Sequence, residues 1–183
     1  MTVLRTARLR FVPLAASDVE ELYELFALAE VRRYLLDDTV MPKSWVEAVV
    51  ADSEAQFKAA GAGLWTLRDE GDELLGVAGY RDFFEPPQLQ VIYALHPRAW
   101  GRGLATEALR ALLEVGFETC GFEVVRGATD EPNDASIRVM ERCGMRRVDP
   151  ATFEPPLDDA EGAVFLEISR AAWTADGGRV LES

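Results

Sequence analysis

The chain has 183 residues, 19 Lys+Arg against 32 Asp+Glu for a formal net charge of −13, and 49% hydrophobic residues. Such a length fits one domain of about 100–200 residues, and the composition excludes a disordered, collagen-like or disulfide-framework protein. The acidity argues against nucleic acid, whose binders need a basic face to displace counterions, and against anionic membrane surfaces.

Alternation over residues 8–13 predicts a first strand. Ser17-Asp18-Val19-Glu20 reads as a capping box, with Ser17 and Glu20 satisfying free amides at a helix start. Leu22, Leu25, Phe26 and Ala29 then recur at helical spacing. Ser44-Trp45-Val46-Glu47 repeats the signal and opens a second helix to about Ala59, with Gly61 and Gly63 as stops. Leu64–Arg68 and Leu74–Phe83 flank the polar turn Asp69-Glu70-Gly71-Asp72 and predict a hairpin. Pro86-Pro87 break the chain before a strand over 89–95, which Pro97 closes. Residues 103–120 predict a long helix striped by Leu104, Ala108, Leu112 and Val115. A strand over 124–129 and a helix over 133–143 follow, with Gly144 suited to a left-handed cap. The last two strands, 145–148 and 163–168, surround an acidic loop over 153–162, and 176–183 is expected to be a loose tail. Strands in succession and then in alternation with helices predict an α/β (α+β) fold, a mixed sheet with helices on both faces.

Cys120 and Cys143 are the only cysteines, and without CxxC spacing they fit small buried residues in a reducing cytoplasm, with no metal site. A single histidine, His96, makes a His-based metal centre or a Ser-His-Asp triad an unpromising reading. The N-terminal stretch lacks the apolar core of a signal peptide, and no apolar run approaches the ~20 residues of a bilayer span.

Charge is unevenly spread: residues 1–95 carry a net −7, 96–148 are neutral, and 149–183 carry −6. The arginines of the neutral third either form a local anion site or coat solvated helix faces. Within it, His96-Pro97-Arg98-Ala99-Trp100-Gly101-Arg102-Gly103-Leu104-Ala105-Thr106 joins a strand to a helix. Two glycines at i and i+2 permit positive φ and close approach of a ligand. The helix start beside them offers free amides and a positive dipole end, which suits a phosphate or equally a plain tight turn. The segment is neither the P-loop GxxxxGKS/T nor GxGxxG, since the third position is Thr106.

Arg98-Ala99-Trp100-Gly101-Arg102-Gly103 resembles the R/Q-x-x-G-x-G/A pyrophosphate loop of the GNAT superfamily of acyl-CoA-dependent N-acyltransferases. The longer string to Ala108 resembles the RimJ/RimL-like branch, as does a second block, Pro132-Asn133-Asp134-Ala135-Ser136-Ile137-Arg138-Val139-Met140-Glu141-Arg142-Cys143-Gly144-Met145. The resemblance covers roughly residues 8–170 of one N-acetyltransferase domain, 1–183. It implies a mostly antiparallel central sheet of about seven strands, splayed between the strands at 89–95 and 124–129. Acetyl-CoA would lie in that splay, its pyrophosphate on Gly101, Gly103, Leu104, Ala105 and Thr106, with Arg98 and Arg102 nearby. Asn133 would hold the pantetheine or acetyl end, or serve as an N-cap, or both. Arg138 and Arg142 would reach the cofactor's phosphates or pair with Glu141 and solvent.

The implied reaction is acetyl transfer to a primary amine, either a protein N-terminus or a small molecule, by direct attack in a ternary complex. A backbone amide near Leu95 would hold the oxyanion. Ser136 would be the acid for the thiolate, or a first-turn serine bonded to backbone. Branch members often carry Glu three residues before Tyr; here the position is Gln90, which cannot take a proton but can orient water or amine. Asp82 and Glu85, or bulk water acting on an amine already partly neutral, are the candidate replacements as base. Tyr93 offers a hydroxyl or simply strand packing, and Phe83, Phe84, Trp45 and Trp100 either wall an acceptor pocket or pack the core. A non-catalytic acyl-CoA sensor is the competing reading. The acidic flanks would draw cationic amines at rates that fall with salt. A cytoplasmic protein and a homodimer are the remaining expectations.

Overall fold

The computed structural model describes residues 3–83, 87–153, 156–157 and 162–175. The N-terminal half runs β1 (Leu4–Arg5), β2 (Arg10–Pro13), α1 (Val19–Ala27), α2 (Ala29–Leu35), α3 (Lys43–Ala60), β3 (Leu64–Arg68), β4 (Leu74–Phe83) and β5 (Gln88–Leu95). Then come α4 (Leu104–Glu114), β6 (Val124–Asp130), α5 (Asp134–Arg142), β7 (Arg146–Val148), β8 (Ala163–Ser169) and α6 (Arg170–Ala175).

The strands form two antiparallel sheets, β1-β2-β3-β4-β5 and β6-β8-β7, rather than one continuous sheet. The break falls between β5 and β6, which adjoin without a ladder, at the splay that the resemblance implies. At Gly127 of β6 an added Cβ would lie 3.2 Å from Val91 Cγ1 of β5 and 3.1 Å from Met140 Sδ of α5, which follows β6 in the chain.

Helices cover both faces, each over its own core. On one side Val91 and Leu95 of β5 pack with Leu104, Ala108 and Leu112 of α4. On the other Val77 of β4 packs with Leu22, Leu25 and Phe26 of α1 and Val46 and Val49 of α3. Burying such a side chain contributes about 1.5–3 kcal/mol, which fixes both faces of β4 and β5.

Several helix ends differ from expectation. The chain enters α1 through a 3-10 turn, Ala16–Asp18, and Asp18 Oδ2 accepts the Ala15 amide at 2.8 Å. Asp18 therefore supplies the carboxylate cap expected of Glu20. An extended Leu28 (ψ 128°) splits the expected first helix into α1 and α2. Pro42 precedes α3 without a side-chain cap, so Ser44 and Glu47 lie inside the helix; Gly61 ends it with φ 72° as its position predicts. The long helix after Gly103 widens into a π turn over Val115–Thr119. There the Tyr80 hydroxyl donates to Leu112 O at 2.7 Å, and a Cβ on Gly116 would stand 2.4 Å from that hydroxyl. A side chain inserted at a helix backbone is a recognised cause of such a turn.

Candidate active site

The loop between β5 and α4 is held open from beneath. His96 Nδ1 accepts the Arg98 amide at 3.2 Å, Trp100 Nε1 donates to Leu95 O at 2.8 Å, and Gly101 and Gly103 take φ of 70° and 75°. Gly103 is the N-cap of α4 and offers no side-chain acceptor. The amides of Leu104, Ala105 and Thr106 thus begin the helix uncapped, at the positive end of its dipole. A Cβ on Gly101 would meet nothing within 4 Å, so the space beside the loop is open. Backbone donors, dipole and open space fit a pyrophosphate.

Of the arginines named for this loop, Arg102 is exposed, but Arg98 is engaged elsewhere. Its Nη2 donates to Leu74 O at 2.7 Å and its Nη1 pairs with Glu73 at 2.6 Å, anchoring the loop to the start of β4. Arg138 is exposed and stands 4.0 Å from Asp134, one turn back on α5, while Glu141 pairs with Arg147. A brace that sequence reasoning misses holds the loop from the N-terminus. Arg8 Nε donates to Glu107 Oε2 at 2.7 Å and Arg8 Nη1 to Arg102 O at 2.8 Å. Glu107 Oε1 accepts the Thr6 hydroxyl at 2.6 Å.

At the start of α5, Asn133 is the N-cap: its Oδ1 accepts the Ser136 amide at 3.2 Å and its Nδ2 donates to Thr129 Oγ1 at 2.9 Å. Ser136 is tied across the splay to β5. The Tyr93 hydroxyl lies 2.9 Å from Ser136 Oγ and 3.1 Å from Ser136 O. Burial holds the Tyr93 hydroxyl well above the ordinary tyrosine range, outweighing the opposite effect of the Ser136 bond. At the other end of α5, the buried Cys143 thiol donates to Thr106 O at 3.6 Å, and burial pushes its pKa up to about 11. Ser136 and the phosphate-type loop are therefore joined by the length of α5, about 10 Å at 1.5 Å per residue. At the end of β6, burial and then the charge of Asp37 raise the Asp130 carboxyl above its usual range.

The opposite face of β4 and β5 carries a pocket lined by Phe26, Leu35, Leu36, Trp45, Val49, Leu64, Val77, Arg81, Phe83 and Ile92. Trp45 and Phe83 wall it as expected; Trp100 instead sits on the loop, 51% exposed. Phe84 and Glu85 lie outside the described residues. Gln90 pairs with Arg81 across the ladder and so shares the pocket's face. Asp82 pairs with Leu89 and takes the other face, away from the pocket. Among the described residues no group of three His, Cys, Asp or Glu could hold a metal, and no helix is long and apolar enough to cross a membrane.

Residues 8–146 match the family model of the acetyltransferase (GNAT) domain. The chain belongs to this family of acyltransferase enzymes. It is 28% identical over 93% of its length to the FsC-acetyl coenzyme A-N(2)-transacetylase of Aspergillus fumigatus, covering 77% of that protein. Among solved structures it is similar to an acetyltransferase from Agrobacterium tumefaciens, at 23% identity and a TM-score of 0.80 over 93% of this chain and 95% of that one. It also shares its fold with RimL, a ribosomal alpha-N-protein acetyltransferase in complex with coenzyme A, at 16% identity and a TM-score of 0.71 over 93% and 99% of the two chains.

Proposed function

We propose that this chain is a cytoplasmic, acetyl-CoA-dependent N-acetyltransferase of the RimJ/RimL-like kind, working as one domain on a primary amine in a ternary complex. The observation that carries the reading is the uncapped start of α4 behind two positive-φ glycines, at the edge of the gap between β5 and β6. When bound, acetyl-CoA supplies the activated acetyl group. The amides of Gly101, Gly103, Leu104, Ala105 and Thr106 hold its pyrophosphate, with Arg102 and Arg138 exposed at the surface to add charge. Arg98 acts at one remove, by fixing the loop to β4. The backbone of Leu95 and the side chain of Asn133 would hold the pantetheine arm in the splay between β5 and β6.

Ser136, oriented by Tyr93, gives a proton or hydrogen bond to the departing thiolate. The hydroxyl of Tyr93 keeps its proton because burial raises its pKa, so it serves as a donor and not a base. Gln90 positions the acceptor from the pocket face. No described carboxylate lines the pocket, so the acceptor reaches the site as the neutral amine and gives up its proton to water.

The test is thiol release from acetyl-CoA with a panel of peptides with free N-termini, polyamines and small amines. Ser136→Ala is expected to lower kcat with the KM for acetyl-CoA little changed. No release above background with any amine would reject the enzyme reading. The buried amide at the usual glutamate position favours one other reading, an acyl-CoA sensor, which predicts calorimetric CoA binding without turnover.

A further inference from the structure

On the pocket face of β4 and β5 two donors stand side by side without an acceptor. Arg81 and Gln90 are directly opposite in the ladder, so their side chains leave the sheet together. Gln90 is 2% exposed and its Nε2 has no hydrogen-bond partner among the described residues. Buried amides are rarely left this way, and each exception calls for an explanation. The Arg81 guanidinium lies 5.4 Å from the Trp45 ring and 5.8 Å from the Phe83 ring, and no described carboxylate comes within ion-pair distance of it. Burial pushes Arg81 below the usual arginine range, with Asp52 the opposing charge. Both rings lie within cation–π distance of the guanidinium, whose N–H groups are left for a ligand. Arg81 lines the pocket, whose wall is otherwise apolar, with Phe26, Leu36, Val49 and Ile92, and Gln90 lies buried beside it in the ladder.

A guanidinium edge beside an amide donor, set in an apolar bowl, is complementary to a carboxylate attached to an apolar group. We propose that the acceptor is a small amine bearing a carboxylate and an apolar side chain, the class of an apolar amino acid. Its carboxylate binds Arg81 and Gln90, and its side chain packs on Phe26, Trp45 and Ile92. The inference rests on the acetyltransferase reading and narrows its acceptor from any primary amine to this class. In the transfer, the neutral amine nitrogen forms a bond to the acetyl carbonyl carbon while the C–S bond breaks. The amine proton leaves to water and the thiolate takes one up, giving an N-acetyl amino acid and CoA thiol. The ammonium of such a zwitterion still suits the acidic flanks, while its carboxylate needs the one cation of the pocket wall.

The experiment compares L-leucine, L-leucinamide and spermidine as acceptors for the wild type, Arg81→Gln and Arg81→Lys. Calorimetry of N-acetyl-leucine in the presence of CoA runs in parallel. Leucine is expected to exceed leucinamide at least tenfold in kcat/KM, the ratio collapsing towards one in Arg81→Gln and partly recovering in Arg81→Lys. Binding of N-acetyl-leucine should be lost with the same variant. Leucinamide or spermidine equalling leucine, or a ratio that Arg81→Gln does not move, overturns the acceptor assignment and leaves acetyl transfer standing. Arg81-dependent binding of N-acetyl-leucine without turnover of any amine supports the pocket assignment and rejects the enzyme.

Discussion

Arg8 and Glu107, far apart in the sequence, form a two-pronged contact: the Arg8 amide donates to Glu107 Oε1 at 3.0 Å and its Nε to Oε2 at 2.7 Å. The same guanidinium caps Arg102 O, so the segment before β2 grips both the glycine loop and the first turn of α4. Arg8 is a positioning residue, since it reaches the loop and not the phosphate-binding amides. Arg8→Ala is expected to raise the KM for acetyl-CoA about tenfold, or about 1.4 kcal/mol, with kcat changed less than twofold. Arg8→Lys should recover part of the loss, because a point charge replaces one prong of the fork. An equal fall in kcat with KM unmoved would show that the brace serves something other than binding.

Gly101 tests the loop itself. Its φ of 70° lies where a Cβ is strained, yet nothing surrounds the position. Gly101→Val should therefore cost about 1–2 kcal/mol of stability for the backbone alone, while placing a side chain in the open space beside the loop. Calorimetric affinity for CoA should fall at least thirtyfold with the fold intact by circular dichroism. Unchanged affinity would move the phosphate site off this loop.

Legibility in the sequence follows the range of the interaction. The β3–β4 hairpin, β5 and the α4 loop are written locally, in alternation, a polar turn and two spaced glycines. The division into two sheets is not, because each strand's pattern is satisfied whether or not its neighbour pairs. The Leu28 break lacks Gly or Pro, and the two-residue β1 is too short for a periodic signal. Arg81 reads as one more charge in a strand; only its register with Gln90 and its cation–π contact with Trp45 give it a place. Asn133 carried both its meanings from the start, and its cap geometry leaves a ligand role to be tested.

A buried ion pair offers a stability test away from the site. Arg68 Nη2 donates to Asp18 Oδ1 at 3.0 Å and to Glu21 Oε2 at 2.6 Å, the first pair with side chains 10% and 11% exposed. Removing one partner of a buried pair leaves the other charge uncompensated, at about 3–5 kcal/mol. Arg68→Ala should lower the urea-derived stability by that amount, and Glu21→Gln by less, because Asp18 remains paired and Glu21 is half-exposed. Equal losses in the two variants would mean that desolvation of Asp18 is not the dominant cost.

His96, the sole histidine, sets a pH dependence with a definite sign. Burial first, then the nearby Arg98, push its imidazole below the ordinary value, against smaller opposing effects of Glu73 and Glu30. The neutral form is the one that works locally, since Nδ1 accepts the Arg98 amide. As pH falls through about 6.5, the usual value, the unfolded chain takes up this proton before the folded one does. The unfolded state then binds more protons, so stability rises with pH in that window and its His96 contribution is lost on acidification. Below the folded value both states are protonated and no further loss follows. Nuclear magnetic resonance of the folded protein should give a His96 midpoint below 6.5, and His96→Asn should flatten the stability profile between that midpoint and neutrality. A midpoint at or above 6.5 would mean that the loop tolerates the imidazolium, and the acid sensitivity would have to come from another group.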